Sequence, residues 1–150
     1  MVNESEMKAI RIHGELGYTV QEKFSFLAGA TFNQYSGLQD NIKAWGLLPV
    51  EINASLRWQV LKDFTLKSDL FFWDGAQYRF KDMSSGKLDP ALDINAGVEF
   101  RVMPKLNAWV QLNNILNNQY ERWKQYPVLG FDVLAGVTWS FGDIKTAMAK

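Results

Sequence analysis

The single histidine of the chain, His13, stands two residues from a carboxylate, Glu15. Residues two apart on a strand project together, so His13 and Glu15 could act as an acid/base pair. No nucleophile or third orienting group accompanies them, and a hydrogen-bond network is the expected role. Asp69, Asp93, Glu99 and Asp132 could gather round a hard cation, which oxygen ligands suit. Arg57, Lys67 and Arg101 are equally available to neutralise them, so salt bridging is the expectation. With no cysteine and one histidine, disulfides, thiolate catalysis and Cys- or multi-His-ligated metals are excluded. The expected protein is not an enzyme and needs no cofactor and no metal.

The remaining candidates are aromatic or glycine. Trp45, Tyr78, Phe80, Tyr120, Trp123 and Tyr126 fall in long connecting segments. There they could stack on a sugar, grip a partner or pack loop against loop, and packing is expected. No ligand-binding residue is singled out. Gly75 and Gly86 punctuate one such segment, without the spacing or following helix of a phosphate cradle. Asn3-Glu4-Ser5 and Asn53-Ala54-Ser55 match the glycosylation sequon, the second in mid-strand where no glycan fits. Sixteen basic and sixteen acidic side chains cancel. A neutral chain with no concentrated Lys and Arg lacks the footprint of a nucleic-acid binder.

The elements that position these residues follow a period of two. Leu92, Ile94, Ala96, Val98, Phe100 and Val102 alternate with Asp93, Asn95, Gly97, Glu99 and Arg101. Val50 to Val60 repeats the pattern, as do Ala9 to Tyr18, Phe24 to Tyr35, Phe64 to Trp73, Leu106 to Ile115 and Gly130 to Phe141. Each is close to the ~9–11 residues of a tilted strand crossing a bilayer. Connections alternate between short (19–23, 61–63, 103–105) and long (36–49, 74–91, 116–129). Tight turns on one side and long loops on the other are the outer-membrane arrangement. The fold predicted is all-β: an antiparallel up-and-down meander of about seven strands, part of a transmembrane β-barrel. Residues 1–8 form a leader, 9–141 the barrel segment and 142–150 a tail. The polar start is not a signal peptide, so an export signal is expected upstream of Met1.

Alternation alone also fits a soluble lipocalin-like barrel with its apolar face inward. Two features favour the membrane. Tyr18, Phe24, Phe26, Trp58, Phe64, Phe100, Trp139 and Phe141 gather at the short-turn end of the apolar face, and Phe32, Phe72 and Phe131 at the other. Aromatic rings prefer the two water–lipid boundaries. The polar face holds mixed charges and amides, with Lys67 the one lysine clearly in a strand interior, which suits a wet lumen. Seven strands break the even-number rule of single-chain bacterial barrels. An open, curved sheet belonging to a longer wall is therefore predicted, with a small autonomous barrel of structural or adhesive role as the alternative. An eighth strand in 74–90 is opposed by Gly86 and Pro90.

The segment Leu134-Ala135-Gly136-Val137-Thr138-Trp139-Ser140-Phe141 resembles the terminal strand signal of outer-membrane β-barrels, with Gly136, Trp139 and Phe141 in the signal positions. Leu134 departs from the usual polar residue, and nine residues follow Phe141. The resemblance implies recognition by the barrel-assembly machinery. Trp109 to Trp123, with Asn113, Asn114, Asn117, Asn118 and Tyr120, followed by Tyr126-Pro127-Val128-Leu129-Gly130, resembles the last hairpin of TonB-dependent receptors of the Bacteroidetes. It implies an outer-membrane transport barrel for nutrient uptake, with lipid as a neighbour and TonB as a partner through a plug domain upstream of Met1. The asparagines have a local reading as well: they tolerate left-handed backbone and mimic turns, favouring a self-bonded loop base.

Overall fold

The computed structural model describes residues 6–141. The proposed tail, the first five residues of the leader and the Asn3 sequon lie outside them. Eleven strands follow in order: β1 (Lys8–Val20), β2 (Phe24–Ser36), β3 (Val50–Leu61), β4 (Phe64–Trp73), β5 (Gln77–Arg79), β6 (Ser85–Lys87), β7 (Ala91–Met103), β8 (Leu106–Asn113), β9 (Glu121–Trp123), β10 (Tyr126–Pro127) and β11 (Asp132–Trp139). No helix occurs among the described residues. Seven of these strands form one sheet, in the order β1-β2-β3-β4-β7-β8-β11. Every neighbouring pair is antiparallel. The predicted meander is thus the observed one, with strand ends shifted by one or two residues.

The register holds the two faces apart along the sheet, because one slipped residue would turn every side chain over. Tyr18 faces Phe26, Phe24 faces Trp58 and Phe64 faces Phe100. These pairs build a belt of rings at the short-turn edge, where Tyr18 and Phe24 also meet edge to face at 6.2 Å. At the other end Phe32 lies opposite Val50, and Phe72 opposite Ile52 and Leu92. Between the belts the cross-strand pairs are smaller: Ala28 with Ala54, Leu66 with Val98, Val98 with Val110.

Among the described residues, nothing covers this face. No side chain on it is buried, and Leu16 and Val137 are 67% and 70% exposed. The buried apolar residues among those described are Ala76, Leu88, Ala91 and Tyr120, all at the long-loop end. A soluble barrel with the apolar face inward would bury Ile52, Leu56, Ile94 and Val98 instead. The ladder that would close the sheet is also missing: β1 and β11 are its two edges.

Two long loops carry structure that the sequence reading left as irregular. β5 and β6 pair as a small hairpin, and so do β9 and β10, each in a sheet of its own. The first turn is tied by Asp82, whose Oδ1 accepts hydrogen bonds from the Ser84 N–H at 3.0 Å and hydroxyl at 2.6 Å. The weak pattern of Tyr78 and Phe80 in 74–90 therefore marks a loop hairpin and not an eighth wall strand.

Candidate functional site: the polar face and the long-loop crown

On the polar face the candidate acid/base pair is a network. His13 Nδ1 lies 2.8 Å from Thr31 Oγ1 on β2, and Nε2 lies 3.1 Å from Glu15 Oε1, with His13 and Glu15 exposed. The four carboxylates do not converge: no group of three potential metal ligands occurs among the described residues. Glu99 accepts from Lys67 at 2.7 Å and from Asn107 at 3.0 Å. Asp132 accepts from Asn113 at 2.9 Å, and Asp93 from the Tyr120 hydroxyl at 2.7 Å. Asp69, opposite Ser55 and Asn95, lines a hollow of about 330 Å³ with Lys67, Asn95, Glu99, Trp109 and Gln111. A second hollow of about 310 Å³, nearer the short turns, is bounded by Arg57, Glu99 and Arg101. Both open among polar-face side chains, as they would on the concave side of a barrel wall.

Large aromatic side chains also share this face, and polarity counting passes over them. Phe71 and Trp73 on β4 and Trp109 on β8 have the register of Asp69, Glu99 and Gln111. Trp109 lies across Gly136 of β11: a Cβ there would stand 2.6 Å from the indole Cζ2. Gly136, read as part of a terminal signal, thus has a local steric reason to be glycine. The other two signal residues differ from it in setting. Trp139 stands opposite Leu106 on the apolar face, and Phe141, beyond the strand, is exposed. Parity with Asn107 and Gln111 is the signal that finds Trp109.

The third long loop rests on its asparagines. Asn114 and Asn117 have φ of 47° and 49°. Asn114 is buried; its Oδ1 accepts the Asn118 N–H, while its Nδ2 donates to the carbonyls of Asn118 and Leu129. Asn117 Oδ1 accepts the Phe131 N–H, and Asn118 Nδ2 donates to the Leu92 carbonyl of β7. Asn113 belongs to the strand and serves Asp132 instead. From this base Tyr120 is inserted against the polar face, its ring 4.9 Å from that of Trp73 and nearly perpendicular to it. Burial first, then the hydrogen bond to Asp93 and its charge, push the Tyr120 phenol well above its ordinary range. Asp93 keeps its other oxygen buried with no partner.

The loop aromatics knit the crown together, as the packing expectation held. Trp45 bridges to Gln77, and the Arg79 guanidinium lies 5.9 Å over its ring. Tyr78 meets Phe80 edge to face, while Lys124 sits 5.4 Å over Tyr78. Trp123 approaches Gly46 of the first long loop, yet stays 58% exposed, and Tyr126 opposite it 71%. Gly75 lets the second loop pass itself, since a Cβ there would overlap the Leu88 carbonyl. The Lys124 ammonium holds the Glu121 carboxyl below its usual range, and Glu121 in turn raises Lys124.

No protein-family model matches the chain, and no curated protein does. A solved structure supplies the comparison: the siderophore receptor PiuA from Acinetobacter baumannii matches 89% of this chain with a TM-score of 0.74. The seven-strand antiparallel meander is similar in fold to part of that receptor. At 11% identity the likeness is one of fold alone, and the chain spans 22% of that receptor's length.

Proposed function

We propose that this chain forms part of the wall of an outer-membrane transport barrel, of the kind TonB-dependent receptors build for nutrient uptake, and that it has no catalytic activity. The observation that carries the reading is the uncovered apolar face bounded by two belts of rings. Soluble monomers rarely expose contiguous apolar surface of this extent, whereas a bilayer is the solvent such a face fits. The opposite face, with paired charges and amides, suits a water-filled interior. Lipid meets Ile52, Leu56, Ile94, Val98 and Val137. Gly136, Trp139 and Phe141 are presented to the assembly machinery, and TonB acts through a plug domain elsewhere in the full receptor. Nucleic acid is no partner.

The ring belts give the test. Single-tryptophan variants keeping only Trp58 or Trp139 are placed in bilayers whose lipids carry bromine at shallow or at deep chain positions. Quenching should be strongest for shallow bromine. Absence of quenching from either depth would remove the membrane reading.

A further inference from the structure

Each short turn of the wall holds a lysine: Lys23 between β1 and β2, Lys62 between β3 and β4, and Lys105 between β7 and β8. Elsewhere in the chain a carboxylate lies within 2.8 Å of the Lys67, Lys87 and Lys124 ammonium groups. Lys23 and Lys62 are exposed, and their ammonium groups make no hydrogen bond or ion pair among the described residues. Gln59 of β3 ties their two turns together. Its backbone N–H donates to the Lys23 carbonyl at 2.6 Å, and its side-chain amide donates to the Lys62 carbonyl at 2.8 Å. Between the turns lies a hollow of about 340 Å³, lined by Lys23, Gln59, Val60, Leu61 and Lys62. Small-molecule sites begin at about 300 Å³. No carboxylate lines this hollow. Glu22 and Asp63 border the second polar-face hollow instead, where Asp63 lies 3.8 Å from Arg101. Val60 follows Trp58 by two on the apolar face, and Leu61, past a register shift, lies opposite Phe64. The hollow therefore joins two unpaired cations to an apolar lining that continues the ring belt.

We propose that this hollow holds the head group of an anionic phospholipid on the short-turn side of the membrane. Two unpaired ammonium groups match a phosphodiester of net negative charge. Each lysine stem lies along apolar surface while its charged head stays at the boundary. Val60 and Leu61 meet the start of the acyl chains, and Gln59 is a positioning residue that holds both turns. A zwitterionic lipid brings an ammonium of its own and gains less. The inference goes beyond the transport reading and rests on its placement of the chain in a membrane.

Trp139→Phe, a conservative change at an exposed position, leaves Trp58 as the one tryptophan on the apolar face. Trp58 stands two residues from Val60, about 7 Å along the strand, within reach of a lipid seated in the hollow. The full chain with this change is placed in phosphatidylcholine vesicles, into which chain-brominated phosphatidylglycerol or, separately, chain-brominated phosphatidylcholine is titrated. Half-maximal quenching should come at a mole fraction about tenfold lower for phosphatidylglycerol. Lys23→Gln and Lys62→Gln, both in exposed turns, should each remove about fivefold of that preference. Lys105→Gln, in the third short turn, should leave it unchanged, which separates a site from general charge at the rim. Equal quenching by the two lipids, a preference indifferent to both variants, an equal loss in Lys105→Gln, or displacement of the brominated lipid by inorganic phosphate would overturn the proposal. Equal quenching leaves the membrane reading standing, whereas quenching by neither lipid removes that reading and this site with it, so the two failures are distinguishable.

Discussion

Single residues already separate steric from recognition roles. Gly136→Ala places a methyl against the Trp109 indole, and overpacking of this kind costs ~1–3 kcal/mol. Thermal or urea unfolding should therefore show Gly136→Ala destabilised in the native background and nearly neutral beside Trp109→Ala, since the two positions share one contact. An equal assembly defect in both backgrounds would move the glycine's role to the assembly signal alone. Tyr120 gives a pH prediction. Its phenol is raised above the ordinary 10.0, so the folded state prefers the neutral form. The stabilisation is complete below pH 10.0 and is lost as pH climbs through the raised folded value. An absorbance titration of phenolate should show one delayed tyrosine that is absent from Tyr120→Phe. The same variant should lose ~1.5–3 kcal/mol, the range of a hydrogen bond to a charged group, because Asp93 would then have neither oxygen paired.

At the scale of elements, the wall strands were legible and the loops were not. Alternation in a half-exposed strand is local information, and β3, β4 and β7 match their expected bounds to within one residue. The asparagine run was legible for the same reason: Asn114 and Asn117 take left-handed backbone, which few other side chains accept. The loop hairpins β5–β6 and β9–β10 are too short to show a period, and their stability comes from cross-loop contacts such as Lys124 over Tyr78. Trp73 and Trp109 were not placed by the alternation reading, and the register assigns both to the polar face. The carboxylates could not be placed in height from sequence, and the register now disperses them. Asn114→Ala tests the loop base. It removes three hydrogen bonds from a buried site, and each buried group left unpaired costs ~1–3 kcal/mol. Hydrogen exchange should rise across 114–131 while β1 to β4 stay protected; unchanged exchange would show that the cross-loop contacts suffice.

For the whole molecule, the odd number of wall strands has a directional consequence. β1 and β11 run the same way, so pairing them, within one chain or around a ring of copies sharing one membrane orientation, would need a parallel ladder. Free edges leave rows of N–H and C=O groups that lipid does not satisfy, which is why the proposed wall continues beyond these strands. An arginine at Val98 should cost ~2–4 kcal/mol near the bilayer midplane, read as a lower urea midpoint in vesicles. The central claim is the sidedness of the sheet, and the absence of native cysteine allows it to be measured position by position. Single cysteines at 94, 98 and 137 and at 95, 99 and 138 carry a nitroxide label in lipid vesicles, and collision with oxygen is compared with collision with a water-soluble nickel chelate. The account predicts alternation: 94, 98 and 137 collide with oxygen and not with nickel, and 95, 99 and 138 the reverse. Nickel access at 94, 98 and 137, or the same access at all six positions, would contradict it.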